Sequence, residues 1–142
     1  MYKDILVTID LDHDSSWKKA LPAAVREARN EGARLHVLTV VPTVGMSMVG
    51  QFFPKGYEKK VLEAYNERLH EFVAANVPAE IKVQHIVGQG TVYEVILQIA
   101  QKTNCDLIVM GAHRPELKDY LLGPNAARVV RHATCSVLVV RD

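Results

Sequence analysis

The sequence predicts an α/β domain in which helices cover both faces of a parallel β-sheet. Three observations carry that reading. Five short apolar runs (residues 5–9, 35–41, 81–87, 107–110 and 136–140) have the length and β-branched content of strands. Between them stand four stretches whose apolar residues recur at three- and four-residue steps, the spacing of one helix face. Strand and helix alternate without interruption from the first run to the last, the pattern of a sheet wound on both sides. At 142 residues the chain fits one ordinary domain, and no repeat, low-complexity tract or linker divides it.

Taken in order, Ile5-Leu6-Val7-Thr8-Ile9 is a buried strand ending at Asp10. Asp12 to Ser16 supply polar residues for a helix start, and Trp17, Ala20, Leu21, Ala24, Val25 and Ala28 mark the apolar face. Pro22 either kinks an early turn or stands near the true beginning, and Gly32 closes the helix. Leu35 to Val41 form a second strand, stopped by Pro42. The glycine-, methionine- and phenylalanine-bearing stretch from Thr43 to Gly56 reads as a long loop, a functional flap or a subunit contact. A second helix carries Tyr57, Val61, Tyr65, Leu69, Phe72 and Val73 and ends before Pro78. Ile81 to Val87 alternate as a strand near a sheet edge, with Gly88-Gln89-Gly90 as a turn behind it. Thr91 and Glu94 match a capping box for a third helix through Ala100. Leu107 to Met110 is a strand buried on both faces. A fourth helix runs from about Asn125 to Ala133, and Ser136 to Val140 close the sheet.

Composition narrows the chemistry. A net charge of +1, with Lys and Arg scattered rather than grouped, argues against nucleic acid and membrane surfaces. No stretch approaches signal or membrane-span length, so a cytoplasmic protein is expected. Cys105 and Cys135 fall outside any Cys-x-x-Cys pattern and beside apolar runs, which suits buried thiols. His13 between Asp12 and Asp14 is read as a solvated helix-start cluster, because adjacent residues rarely converge on a metal.

The informative stretch follows the fourth strand. Gly111 permits positive φ and close backbone approach, and Gly123 stands before the last helix. A strand end, a polar loop and a helix start together offer bare amides to an anion, phosphate above all. Ligands of such sheets bind beyond the strands' carboxyl ends. Neither a P-loop nor Gly-x-Gly-x-x-Gly is present, nor a Gly-x-Ser-x-Gly elbow. A phospho-acceptor receiver domain needs an Asp closing strand three, where Val87-Gly88 stand.

At Gly111-Ala112-His113-Arg114, Leu121-Leu122-Gly123 and the closing Ser136-Val137-Leu138-Val139-Val140-Arg141, the chain resembles the universal stress protein family over essentially its whole length. The resemblance implies a Rossmann-like three-layer sandwich with strand order 3-2-1-4-5, formed by residues 1–142 as a single domain. It implies a homodimer paired through the last strand, with higher assembly open. It also implies an adenine nucleotide (ATP, or AMP or ADP, with Mg²⁺ beside a triphosphate). Asp10 would meet adenine or ribose, Val41 would line the adenine pocket, and Thr8 would join them. Gly111, His113, Arg114, Gly123, Pro124 and Asn125 would surround the phosphates. The ATP-binding branch carries Gly-x2-Gly-x9-Gly-Ser/Thr, and this chain departs from it three times. Arg114 replaces the second glycine, the spacer Pro115–Leu122 has eight residues, and Pro124 replaces the Ser/Thr. The first two departures are similar to the small F- and G-type bacterial members. Arg114 offers phosphate several directed donors, whereas Pro124 offers neither hydroxyl nor N–H.

Three functions follow from these residues: a nucleotide-binding stress-response protein that signals or protects through conformation, an interaction module of the same fold that has lost its nucleotide, or a slow ATPase. No paired carboxylates or activated nucleophile support the last, although Asp12 and Asp14 offer oxygens to Mg²⁺. For Asp10 a helix cap, and for Val41 a core position, stand as alternatives.

Overall fold

The structure is a computed structural model that describes residues 1–41, 56–112 and 123–141. Its elements are β1 (Asp4–Ile9), a 3₁₀ turn (Asp14–Ser16), α1 (Ala20–Glu31), β2 (Arg34–Val41), α2 (Tyr57–Asn76), β3 (Val83–Gln89), α3 (Val92–Lys102), β4 (Leu107–Gly111), α4 (Pro124–His132) and β5 (Ser136–Val140). The strands form one sheet in the order β3-β2-β1-β4-β5, and every pairing is parallel. The long loop from Thr43 lies outside the described residues, apart from Gly56 at its end.

Side-chain parity divides the core into two layers. Ile5, Val7 and Ile9 of β1 and Leu35 and Val37 of β2 face α1 and α2, meeting Leu21, Ala24, Val25, Leu69 and Val73. Leu6, Leu38 and Ile108 face the other way, against Val95 and Ile96 of α3 and Ala126 and Val129 of α4. Each fully buried Leu, Ile or Val contributes roughly 1.5–3 kcal/mol relative to exposure, so both layers are needed to hold the sheet. At the amino end of the sheet, buried His36 places its ring nitrogens against Asp4 Oδ1 (2.9 Å) and Gln84 Oε1 (2.5 Å), a polar seam far from the carboxyl-end loops.

Local chemistry explains the boundaries. Gly32 ends α1 in the left-handed region at φ 64°, where glycine escapes the Cβ penalty. Pro22 occupies the first turn of α1, where its missing N–H has no intrahelical partner to lose. Trp17, predicted on that helix, precedes it instead and packs edge-on against Phe72 of α2 with ring centroids 4.8 Å apart. Gly88 was predicted in a turn but continues β3, paired with Val40. A Cβ there would fall 2.4 Å from Val95 Cγ1, so the glycine lets α3 press onto the sheet, and the turn is left to Gly90 at φ +135°. Thr91 is the N-cap of α3 but makes no side-chain capping bond, and Glu94 Oε1 accepts from Tyr93 instead (3.2 Å).

One feature of the pairing positions the site. The register of β1 with β2 continues to Ile9↔Thr39, and that of β4 with β5 to Gly111↔Val140. Between the two central strands it stops at Val7↔Val109. Beyond that pair β1 and β4 diverge, at the point where the strand order reverses.

Candidate functional site

The divergence opens into a cavity of about 410 Å³. Thr8, Asp10 and the turn residues His13, Ser15 and Ser16 form its first wall. Leu38, Val40, Val92, Ile96 and Met110 form an apolar floor from β2, α3 and β4. Gly111, Ala112 and the start of α4 (Gly123, Pro124, Asn125, Ala126) complete the rim. Apolar surface with a few convergent polar groups is the usual make-up of a small-molecule site.

The first wall is rigidly built. Ser16 Oγ accepts the Asp10 amide (2.8 Å) and donates to the His13 carbonyl (2.8 Å). The Asp10 carboxylate accepts the Asp12 amide (2.9 Å) and faces His13 Nδ1 (2.9 Å). Asp10 therefore caps no helix, because α1 begins only at Ala20. It stiffens its own turn with both oxygens turned toward neighbours in sequence. From α2, Arg68 Nη2 reaches Asp12 Oδ1 (2.9 Å) and ties that helix to the rim.

Gly111 has a role other than the one expected. Its φ is not positive, and a Cβ on it would lie 2.9 Å from the carbonyl oxygen of Ser16 and 3.3 Å from that of Ser15. The glycine makes room for the chain's own turn, and it also lines the cavity. Gly123 also has negative φ, −62°, as the N-cap of α4.

The opposite rim is a helix terminus without a side-chain cap. Pro124 is its first residue, so the free donors of the first turn are the amides of Asn125 and Ala126, with the positive end of the helix dipole behind them. Gly123 N–H donates to the Ala112 carbonyl at 2.7 Å, and Ala112 N–H to that of Val140 at 2.9 Å. The end of β4 and the start of α4 thus meet. His113 and Arg114, expected beside the phosphates, lie outside the described residues.

Of the remaining expected residues, Thr8, Asp10, Gly111, Gly123, Pro124 and Asn125 come together around this cavity. Val41 does not join them. Successive strand residues face opposite sides, and Val40 with Leu38 faces the cavity while Val41 is buried away from its lining. Sequence reasoning also missed the floor residues Val92, Ile96 and Met110, which carry only the signal of ordinary helix and strand core. His13 is exposed, as a solvated cluster requires, and it also contributes to the wall. Among the described residues no group of three or more His, Cys, Asp or Glu is placed to hold a metal ion.

Fold and crevice together define a doubly wound α/β protein with a ligand-sized site at its switch point. A model of the universal stress protein family matches residues 1–141, and the chain belongs to that family. It is 32% identical over 145 residues to universal stress protein G of Salmonella typhimurium, covering 99% of this chain and 100% of the relative. Among solved structures, the protein MJ0577 superposes with a TM-score of 0.72 at 26% identity, over 100% of this chain and 97% of that one. A universal stress protein in complex with cAMP shares the fold with a TM-score of 0.63 at 24% identity, over 99% and 97% of the two chains.

Proposed function

We propose that this single domain binds an adenine nucleotide in the crevice between β1 and β4 and acts as a homodimeric stress-response protein in the cytoplasm. The observation that carries the reading is the uncapped start of α4, whose Asn125 and Ala126 amides open onto a cavity floored by Leu38, Val40, Ile96 and Met110. A flat base suits the apolar floor, a ribose suits Thr8 and the Asp10 turn, and a phosphate suits the helix terminus. The relative solved with cAMP puts a cyclic adenylate among the ligands to try beside ATP, ADP and AMP. His113 and Arg114 belong to the proposed phosphate side by family resemblance.

Dimerisation through β5 is supported by the open sheet edge and by Leu138 (38% exposed) and Val130 on the adjoining α4 (48% exposed). Pro124 favours a second reading, an interaction module without nucleotide, since it removes one amide and any hydroxyl from the rim. Hydrolysis is the weakest reading, because one Asp12 oxygen is engaged by Arg68.

Calorimetric titration of the four adenylates into the protein and into Pro124→Ser tests the proposal. Saturable heat with wild type supports it. Binding by the variant alone favours the second reading, and heat from neither removes nucleotide binding.

A further inference from the structure

The turn after β1 carries three carboxylates, Asp10, Asp12 and Asp14, with His13 among them. His13 lines the cavity, and its Nδ1 lies 2.9 Å from Asp10 Oδ2. A carboxylate only accepts hydrogen bonds, so Nδ1 bears the hydrogen, and in the neutral ring Nε2 is left as an acceptor. No group among the described residues hydrogen-bonds to Nε2. The backbone beneath the ring is held from both sides. The His13 amide donates to the Asp10 carbonyl at 3.1 Å, and the His13 carbonyl accepts from Ser16 Oγ at 2.8 Å. His13 therefore presents an acceptor whose tautomer is set by one neighbour and whose position is set by two.

We propose that His13 Nε2 accepts a hydroxyl of the bound sugar, and so makes the crevice selective for ribonucleotides over their deoxy counterparts. This role rests on the crevice binding an adenylate. Charge and position both favour the sugar over the ligand's other parts. A phosphate on this wall would face the carboxylates of Asp10 and Asp14, a repulsion that a neutral hydroxyl does not meet. The amides of Asn125 and Ala126, which suit the phosphate, stand on the opposite rim. The base is matched by the apolar floor of Leu38, Val40, Ile96 and Met110. The wall is left to the sugar, whose hydroxyls are donors that match an acceptor nitrogen.

Exposure sets the size of the effect. The His13 side chain is 46% exposed, so water replaces a missing hydroxyl at Nε2 and the discrimination is modest. A neutral hydrogen bond of this kind corresponds to about three- to tenfold in affinity.

The test titrates ATP, 2′-deoxy-ATP and 3′-deoxy-ATP by calorimetry into wild type and into His13→Ala. The pH is held at about 8, the top of the range in which histidine titrates. Wild type is expected to bind one or both deoxy nucleotides about three- to tenfold more weakly than ATP. In His13→Ala the affinity for ATP falls to that of the weaker analogue, and the difference between them vanishes. Nitrogen-15 spectra of the wild-type imidazoles give a second readout: the His13 ring shows a protonated Nδ1 and a bare Nε2, and the Nε2 resonance moves when ATP is added. Equal affinity of wild type for all three nucleotides, or a preference that survives in His13→Ala, overturns the assignment and leaves nucleotide binding in place. A proton found on Nε2 instead of Nδ1 overturns it even if the variant does not fold. Absence of heat from all three removes the assignment together with the triphosphate as ligand.

Discussion

The Gly123 amide donates to the Ala112 carbonyl across 2.7 Å, fastening the end of β4 to the start of α4. This bond brings the helix terminus to the rim of the crevice. The amides of Asn125 and Ala126 consequently stand at the rim of the cavity.

Replacing Pro124 by Ser restores an amide and adds a hydroxyl at the first position of α4. A hydrogen bond to a charged group is worth about 1.5–3 kcal/mol. Adenylate affinity is therefore expected to rise about tenfold or more, with little change in stability, in side-by-side calorimetry of the two proteins.

Gly111→Ala places a methyl carbon 2.9 Å from the Ser16 carbonyl. The turn must move, at a cost of about 1–3 kcal/mol. Urea denaturation should show a lowered midpoint, and adenylate affinity should fall because Ser15 and Ser16 line the crevice. An unchanged midpoint would contradict the close packing described.

Gly88→Ala drives a carbon to 2.4 Å from Val95 Cγ1. A destabilisation of about 1–3 kcal/mol is expected. The double variant Gly88→Ala/Val95→Ala should recover part of it, since removing the opposing methyl groups relieves the overlap. Denaturant midpoints of the three variants against wild type measure that coupling directly.

His85 on β3 stacks on His70 of α2 with ring centroids 3.8 Å apart. Burial first, and the neighbouring imidazole second, lower its pKa from the ordinary 6.5. A folded-state value below the unfolded one means that the unfolded chain takes up protons more readily. Stability from this source is complete above about pH 6.5 and is lost as the pH falls through the lowered folded value. Melting curves between about pH 8 and about pH 5.5 should show a smaller acid-induced drop for His85→Gln than for wild type.

Leu138→Glu should convert a dimer paired through β5 into monomer, as read by sedimentation equilibrium, because a charge would face the joining edge. With Leu138 already 38% exposed, the melting temperature of the monomer should change little beyond the loss of association. A dimer that survives the substitution would place the interface elsewhere.

The sheet and its helices were legible because hydrophobic spacing reports burial directly, and the α4 terminus was legible from Gly123 and the apolar period behind it. Side-chain direction was not. β2 is buried on both faces over most of its length, so its pattern does not tell whether Val40 or Val41 turns toward the crevice. Glycine was ambiguous for a related reason. Gly88 and Gly111 lack side chains because another part of the chain lies against them, a long-range fact that local sequence shares with an ordinary turn. Asp10 was visible as a polar strand terminus, yet its bonds to Asp12 and His13 depend on a turn that no residue spacing announces.

The parting of β1 from β4 beyond Val7 and Val109 has a wider meaning. A cleft framed by where two strands cease to pair is held open by the backbone ladder itself, and needs no guest to shape it. Exchange of a few rim residues can then change which guest is accepted while the framework stays as it is.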